Sequence, residues 1–404
     1  MIKHIPVSEL KVGMYIHDLG IDWLAHPFML KSFLLHSERD LQTIMQCGIR
    51  SVDIDTERGL DLTAAPPRVE LDAVAHSQLI SLASATSPLP AQVSLSEEIG
   101  RARALKQQAS RVTRQIMQDA RLGRVIQLEP LEQLVDELTA SLLRHPGALI
   151  SLLQVKRRDE YTFLHSLSVG VLLIAFGQSL GFDEATVRQL GLGGLLHDTG
   201  KALIPDEILN KPGPLSVEEF AIVQRHPNDG HALLQRSPDV GPIPLRITLH
   251  HHERCDGSGY PDRLSGEAID TPTRMAAIVD VYDAMTSERH YHRPQAPTEV
   301  LRYLFEASPQ HFDATLVKAF MRCVGIYPVG SLVLLDSQRL AVVVEHNHSN
   351  LICPKVRAIY DTRQMRYITP QDIDLARSVG HGGADSILRH ENPEKWQIDP
   401  YRFL

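Results

Sequence analysis

Seven residues of this 404-residue chain have the side chains and surroundings of metal ligands: His165, His197, Asp198, His226, His251, His252 and Asp280. Imidazole and carboxylate donors together suit first-row divalent metals such as iron, manganese, nickel, copper or zinc. One ion rarely takes seven protein ligands, whereas two ions sharing a carboxylate do. His197 and Asp198 are adjacent, so on a helix their side chains point about 100° apart. One of the pair can then lean towards a second ion while its neighbour holds the first. Histidine is abundant overall, and nine of the 20 lie between His165 and His292.

The local settings sharpen this reading. His165 is followed at helical spacing by Val169, Leu172 and Phe176, an inward face on which an imidazole needs a partner. His197-Asp198 closes the apolar run 192–196 and precedes Thr199-Gly200-Lys201, where the glycine ends the helix and leaves Lys201 near the acid. A lysine beside a metal centre suits a phosphate oxygen. Asp280 and Asp283 interrupt the apolar stretch 278–284. Singly, each has a plainer explanation. A lone histidine on an apolar face is usually a hydrogen-bonded core residue, His226-Pro227 can mark a helix boundary, and Asp283 reads as a supporting rather than a ligating group. Together, in one helical segment, seven such residues are hard to explain as surface polarity.

The elements that must carry them are helical from about 125 to 326. Helices are expected at Pro130 onwards, with Leu131, Leu134, Val135, Leu138 and Leu142 inward, and over 161–180, 184–196, 217–224, 230–236 and 271–287. Residues 1–62 read as a small α+β regulatory domain, with a helix over 38–45 and a strand over 51–55. Residues 63–123 read as a linker, broken by Pro66-Pro67, Pro88 and Pro90, followed by a connecting helix from Ser94 or Ser96 through Met117. That helix either packs on the next domain as a spacer or transmits a signal and dimerises. Residues 327–404 read as a β-hairpin appendage, 330–335 with 339–344, and a polar tail in which Gly380 to Gly383 are flexible. The expected class is therefore mainly α: an all-helical 124–326 domain with small β-containing additions.

Composition removes other classes. Lys and Arg total 41 against 49 Asp and Glu, a net charge of −8, so no global basic field exists for a nucleic-acid polymer. The longest apolar run, 169–177, spans about nine residues, where a membrane helix needs about twenty. The first residues carry charges where a signal peptide carries an apolar block. Four scattered cysteines without a CxxC pair support neither a disulfide framework nor a zinc ribbon. The expectation is a cytoplasmic protein with no membrane partner.

The segment His251-His252-Glu253-Arg254-Cys255-Asp256-Gly257-Ser258-Gly259-Tyr260-Pro261 matches the pattern HHExxDGxGYP. With His197-Asp198-Thr199-Gly200-Lys201, His226-Pro227 and Asp280-Val281-Tyr282-Asp283-Ala284, the chain from roughly 140 to 326 resembles the HD-GYP subfamily of HD-superfamily metal-dependent phosphohydrolases. Residues 1–60 resemble, more weakly, the small domain that often precedes such domains in bacteria.

The resemblance implies a bacterial phosphodiesterase that hydrolyses cyclic di-GMP, with either pGpG or GMP as the final product, lowering a second messenger of motility and biofilm signalling. It implies two divalent ions, iron or manganese. His165, His197 and Asp280 would hold one, His226, His251 and His252 the other, and Asp198 both. Family members with a third metal have a Glu four residues before the first histidine; Tyr161 stands there and Glu160 is one position off, so a third ion is not expected. Lys201 would neutralise the phosphoryl oxygens and Asp198 would hold the ions together, with Tyr260 and Arg289 contacting substrate. His292 and Arg293 stand where a second Lys or Arg commonly lies. His231, His250 and His290 are expected to be non-ligands. A signalling protein docking on the Gly-Tyr-Pro loop or the N-terminal domain, and a homodimer, are further expectations. The alternatives are a slow or inactive member that binds nucleotide or partner proteins, and a related enzyme for another cyclic dinucleotide.

Overall fold

The computed structural model describes residues 2–19, 32–35, 37–46, 49, 51–61, 92–154, 161–211, 213, 215–287, 295–347, 352–377 and 385–404. The chain divides into two compact units, residues 1–81 with 204–224 and residues 82–203 with 225–404. The linker prolines Pro66, Pro67, Pro88 and Pro90, and the glycines Gly380, Gly382 and Gly383, lie outside the described residues, as do Glu160, Arg289, His290, His292 and Arg293.

In the first unit, strands β1 (Ile2–Pro6), β2 (Tyr15–Asp18), β3 (Phe33–Leu34) and β4 (Ser51–Asp55) form an antiparallel sheet in the order β1-β4-β2-β3. Helix α1 (Glu38–Gln46) contributes Ile44 to a core with Ile5, Ile16, Leu35, Val52 and Ile54. The α+β character expected of the N-terminal region is present, in a unit that runs to residue 81 and includes 204–224. The 204–224 stretch adds two short helices, Asp206–Leu209 and Val217–Val223, around Ile204, Leu215 and Val223. Ser216 and Glu219 close the second of these with a reciprocal capping box.

The second unit holds helices α2 (Leu95–Arg121), α3 (Glu129–Arg144), α4 (Pro146–Gln154), α5 (Tyr161–Ser179), α6 (Glu184–Leu196), α7 (His226–Leu234), α8 (Pro242–His250), α9 (Thr271–Thr286), α10 (Pro297–Ala307) and α11 (Ala314–Val324). Aspartates start three of them. Asp183, Asp270 and Asp313 each accept from backbone N–H groups of the first turn, which would otherwise be orphaned. Helices α5 and α9 are apolar nearly all round, so they can lie only at the centre. Val169 to Phe176 and Met275 to Met285 are buried accordingly. The helix expected over 230–236 instead begins at His226, because Pro227 occupies its first turn, where a missing N–H costs nothing.

The connecting helix α2 packs inside this unit against α3, α4, α5 and the turn at 199–203, with Ala102, Leu105, Ala109, Ile116 and Ala120 buried. Its buried Glu98 accepts from Arg144 Nε and Nη2 at 2.8 and 2.7 Å and from Ser141 Oγ at 2.9 Å. A packed spacer is therefore the better description of this helix.

The C-terminal hairpin is present as β5 (Leu332–Leu335) and β6 (Arg339–Glu345), but it is the centre of something larger. Strands β7 (Lys355–Asp361), β8 (Arg366–Asp374) and β9 (Ile387–His390) complete an antiparallel sheet in the order β8-β7-β6-β5-β9. Its core gathers Leu332, Leu334, Leu340, Val342 and Ile359 with Ile398 from the tail. No helix among the described residues is long and apolar enough to cross a membrane.

Candidate metal centre

Five helices and one turn converge on the seven candidate ligands. His165 lies on α5, and His197 and Asp198 follow directly on α6. His226 opens α7, His251 and His252 follow α8, and Asp280 lies on α9. After Asp198 the chain makes a 3-10 turn, Thr199–Leu203, which carries Lys201. That turn is pressed against the start of α7: a Cβ on Gly200 would stand 1.9 Å from the His226 carbonyl oxygen and 2.6 Å from Gly230 N. Only glycine permits this approach, and the approach is what delivers His226 beside Asp198.

The donor atoms form three groups in which all atoms lie within 4.8 Å of one another: His165, His197 and Asp280; His226, His251 and His252; and His197, Asp198 and His251. Asp198 sits between them. Its Oδ2 is 3.2 Å from His197 Nε2 and 3.6 Å from His165 Nε2, and its Oδ1 is 3.4 Å from His226 Nε2 and 3.8 Å from His251 Nε2. Asp280 Oδ1 lies 3.0 Å from His165 Nε2 and 3.8 Å from His197 Nε2. His226 Nε2 and His251 Nε2 approach to 3.3 Å.

The outer faces of the rings fix their tautomers. His165 Nδ1 lies 2.7 Å from Asp283 Oδ2, His197 Nδ1 lies 2.8 Å from the Gly194 carbonyl, and His251 Nδ1 lies 3.0 Å from the Ile247 carbonyl. These oxygens only accept, so each Nδ1 carries a proton; Nε2 is then the inward nitrogen of His197 and His251, while Nε2 of His165 faces a second carboxylate, Asp280 Oδ1 at 3.0 Å. Nε2 of His197, Nε2 of His252 and Oδ1 of Asp198 are buried with no hydrogen-bond partner among the described residues. Buried polar atoms of this kind call for a ligand. The imidazole and carboxylate donor set therefore fits divalent cations.

Electrostatics agree with that fit. Burial pushes the His251 and His252 pKa values well down, and the neighbouring imidazoles push them further. Burial alone would raise the Asp198 carboxyl, but the His197 and Lys201 charges hold it well below the usual carboxylate range. For Asp280, too, burial is outweighed, here by the His165 hydrogen bond. Burial opposes charge on His197, yet Asp198 and Asp280 keep its pKa raised, so a proton and a cation compete for that nitrogen. Neutral imidazoles and ionised carboxylates are the forms that bind metal.

The remaining expected residues are placed as follows. Lys201 Nζ donates to Asp198 Oδ2 at 2.7 Å. Tyr260 stacks on the His252 ring at 4.7 Å between centroids. Asp283, read from the sequence as a supporting group, has its Oδ2 2.7 Å from His165 Nδ1. His250 pairs with Asp262 at 2.9 Å, and neither it nor His231 joins a donor group. The expected substrate contacts Arg289, His292 and Arg293 lie outside the described residues. Two residues escaped the sequence reading. By residue type and position alone, Gly200 reads only as a helix end and Glu253 as part of a motif without a role. An acid among the apolar and histidine residues that follow α8 is a signal that could have found the second.

Comparison with known proteins comes to the same region. A family model described as HD domain matches residues 139–316, and one described as a domain of unknown function, DUF3391, matches residues 2–131. A cyclic di-GMP phosphodiesterase of Pseudomonas aeruginosa is 42% identical over 399 residues, 98% of this chain and 94% of that protein. A cyclic di-GMP phosphodiesterase response regulator of Xanthomonas campestris is 36% identical, covering 50% of this chain and 57% of its own length. A 3'3'-cGAMP-specific phosphodiesterase of Vibrio cholerae is 37% identical over 42% of this chain and 39% of its own length.

Proposed function

From the premise that this chain belongs to the HD-domain cyclic di-GMP phosphodiesterase family, we propose that it opens cyclic di-GMP by metal-dependent hydrolysis to pGpG, and on to GMP. One observation carries the reading. Two donor triads, His165 with His197 and Asp280, and His226 with His251 and His252, meet at Asp198, and Lys201 stands on the same carboxylate.

Each triad would hold one divalent ion, iron or manganese, and Asp198 would serve both. Two such ions supply positive charge that polarises a phosphodiester and makes the attacking water more acidic. The chain supplies the rest. Asp283, the Gly194 carbonyl and the Ile247 carbonyl hold protons on the outer nitrogens of His165, His197 and His251, so that the inner ones stay available. An ammonium group has three N–H donors. Asp198 takes one from Lys201, leaving the others for the non-bridging phosphoryl oxygens, where negative charge develops. Because Lys201 is paired in the resting site, it is held in place rather than having to be ordered during the reaction. Tyr260 borders the centre beside His252 and offers its ring to the dinucleotide. We read 124–326 as the catalytic domain, with 1–62, 63–123 and 327–404 as attached regulatory, connecting and structural segments.

The test is metal analysis of anaerobically purified protein combined with turnover of cyclic di-GMP and 3'3'-cGAMP side by side. Two ions per chain and preferential loss of cyclic di-GMP support the reading. Preferential turnover of 3'3'-cGAMP would move the substrate to the other dinucleotide, and metal-loaded protein inert to both would reject it.

A further inference from the structure

The four residues His250 to Glu253 divide into two jobs. The middle pair, His251 and His252, faces the donor groups. The outer pair grips the loop that follows. Glu253 is buried, and its two carboxylate oxygens accept from the backbone N–H groups of Asp262 at 2.8 Å and Leu264 at 3.1 Å. His250 Nε2 lies 2.9 Å from the Asp262 carboxylate. The far end of the loop is thus tied back to the segment from which it departs.

Between these ties the loop is pressed flat. A Cβ on Gly259 would stand 2.4 Å from Glu253 Cα, 2.5 Å from Arg254 N and 2.6 Å from the His252 carbonyl oxygen. Only a residue without a Cβ allows this contact between backbones. The next residue, Tyr260, lays its ring on His252 at 4.7 Å with the planes 29° apart. Like Nε2 of His197, Nε2 of His252 is buried without a hydrogen-bond partner among the described residues, so a hydrogen bond from that nitrogen does not orient the His252 ring.

We propose that Glu253 is a positioning residue: by fastening the 254–264 loop at its far end, it seats Tyr260 on His252 and so sets the direction in which His252 presents its donor atom. This rests on the reading of His252 as a metal ligand. Glu253 touches neither substrate nor ion; its effect passes through the loop. A carboxylate suits this task because it can accept two N–H groups at once. A Gln in its place keeps the shape but turns one acceptor into a donor that meets an N–H head on.

The test is equilibrium dialysis of Mn(II) against the metal-stripped full chain as wild type, E253Q, Y260A and the double variant, with far-UV circular dichroism as the check on folding. Supporting groups around metal ligands typically affect affinity 10- to 100-fold. E253Q is expected to weaken Mn(II) binding by about tenfold or more with an unchanged spectrum. If Glu253 works through Tyr260, the double variant is no worse than the worse single variant, a non-additivity that a purely structural role does not produce. Should E253Q fail to fold, the same cycle is read with E253D, which keeps the charge but shortens the reach to the backbone N–H groups of Asp262 and Leu264. Wild-type binding in E253Q, or strictly additive losses, overturns the proposal alone. A wild type that binds no Mn(II) overturns the metal reading and the proposal with it.

Discussion

Asp283 Oδ2 lies 2.7 Å from His165 Nδ1, one helical turn beyond Asp280, whose Oδ1 lies 3.0 Å from the other nitrogen of the same ring. One imidazole is therefore clamped between two carboxylates of a single buried helix, which fixes its plane. Asp283→Asn keeps the size and removes the charge. It is expected to lower metal occupancy or turnover about 10- to 100-fold while leaving the fold intact. Metal content per chain after dialysis, measured beside the circular dichroism spectrum, checks this; full occupancy and full turnover would contradict it.

Lys201 is expected to matter for rate more than for metal retention. Its ammonium lies on Asp198 but is not among the donors. Removing one group that stabilises charge in a transition state typically costs about 10²–10³ in kcat. Lys201→Met should show a loss of that order with metal content unchanged. A loss of metal in parallel would mean that Lys201 is needed to assemble the centre.

Gly200→Ala tests the packing that brings His226 to Asp198. The added methyl would collide with the His226 carbonyl at 1.9 Å, and backbone cannot yield as a side-chain tip can. Overpacking typically costs about 1–3 kcal/mol, and a clash with backbone falls at the upper end. A urea midpoint shifted by that amount, with loss of metal binding, is the expected result. A variant as stable as wild type would show that the turn and α7 are not held together at this point.

The Glu98–Arg144 pair should make stability depend on acid. The Arg144 hydrogen bonds hold the Glu98 carboxyl below its ordinary pKa, against the effect of burial. A group whose pKa is lower when folded stabilises above its unfolded pKa and loses that contribution as pH falls through the folded value. The pair's contribution is therefore present at neutral pH and declines from about pH 4.5 downwards. Glu98→Gln should cost about 1.5–3 kcal/mol at pH 7, the range for a hydrogen bond to a charged group, and less at pH 3. Urea denaturation at the two pH values checks this; an equal loss at both would contradict it.

Much of the centre was legible because its residues sit where burial and polarity conflict. His165 above Val169, Leu172 and Phe176, and Asp280 within an apolar helix, declare themselves, and the HHExxDGxGYP segment supplies the rest. Helix starts were equally readable: the helices expected from residue 184 and from Pro130 begin within a residue of those positions. What the sequence hid has a common cause. Strand β8 is exposed along most of its length, so it lacks the alternation that betrays a half-buried strand. Glu98 is one charge among many on α2, and its partner Arg144 lies 46 residues away in the chain. Glu253 and Gly200 act on backbone atoms, and no pattern of side-chain types reports which backbone will come near.

The histidine and aspartate cluster, as a metal centre, is expected to cleave cyclic di-GMP. This expectation is tested most directly by incubating anaerobically purified wild type and His197→Ala with cyclic di-GMP and following pGpG. Wild type is predicted to convert the dinucleotide, and His197→Ala, which deletes a donor from two of the three groups, is predicted to lose metal and produce no pGpG above background. Metal-replete wild type that leaves cyclic di-GMP intact, or a His197→Ala variant that hydrolyses it at the wild-type rate, would contradict the account.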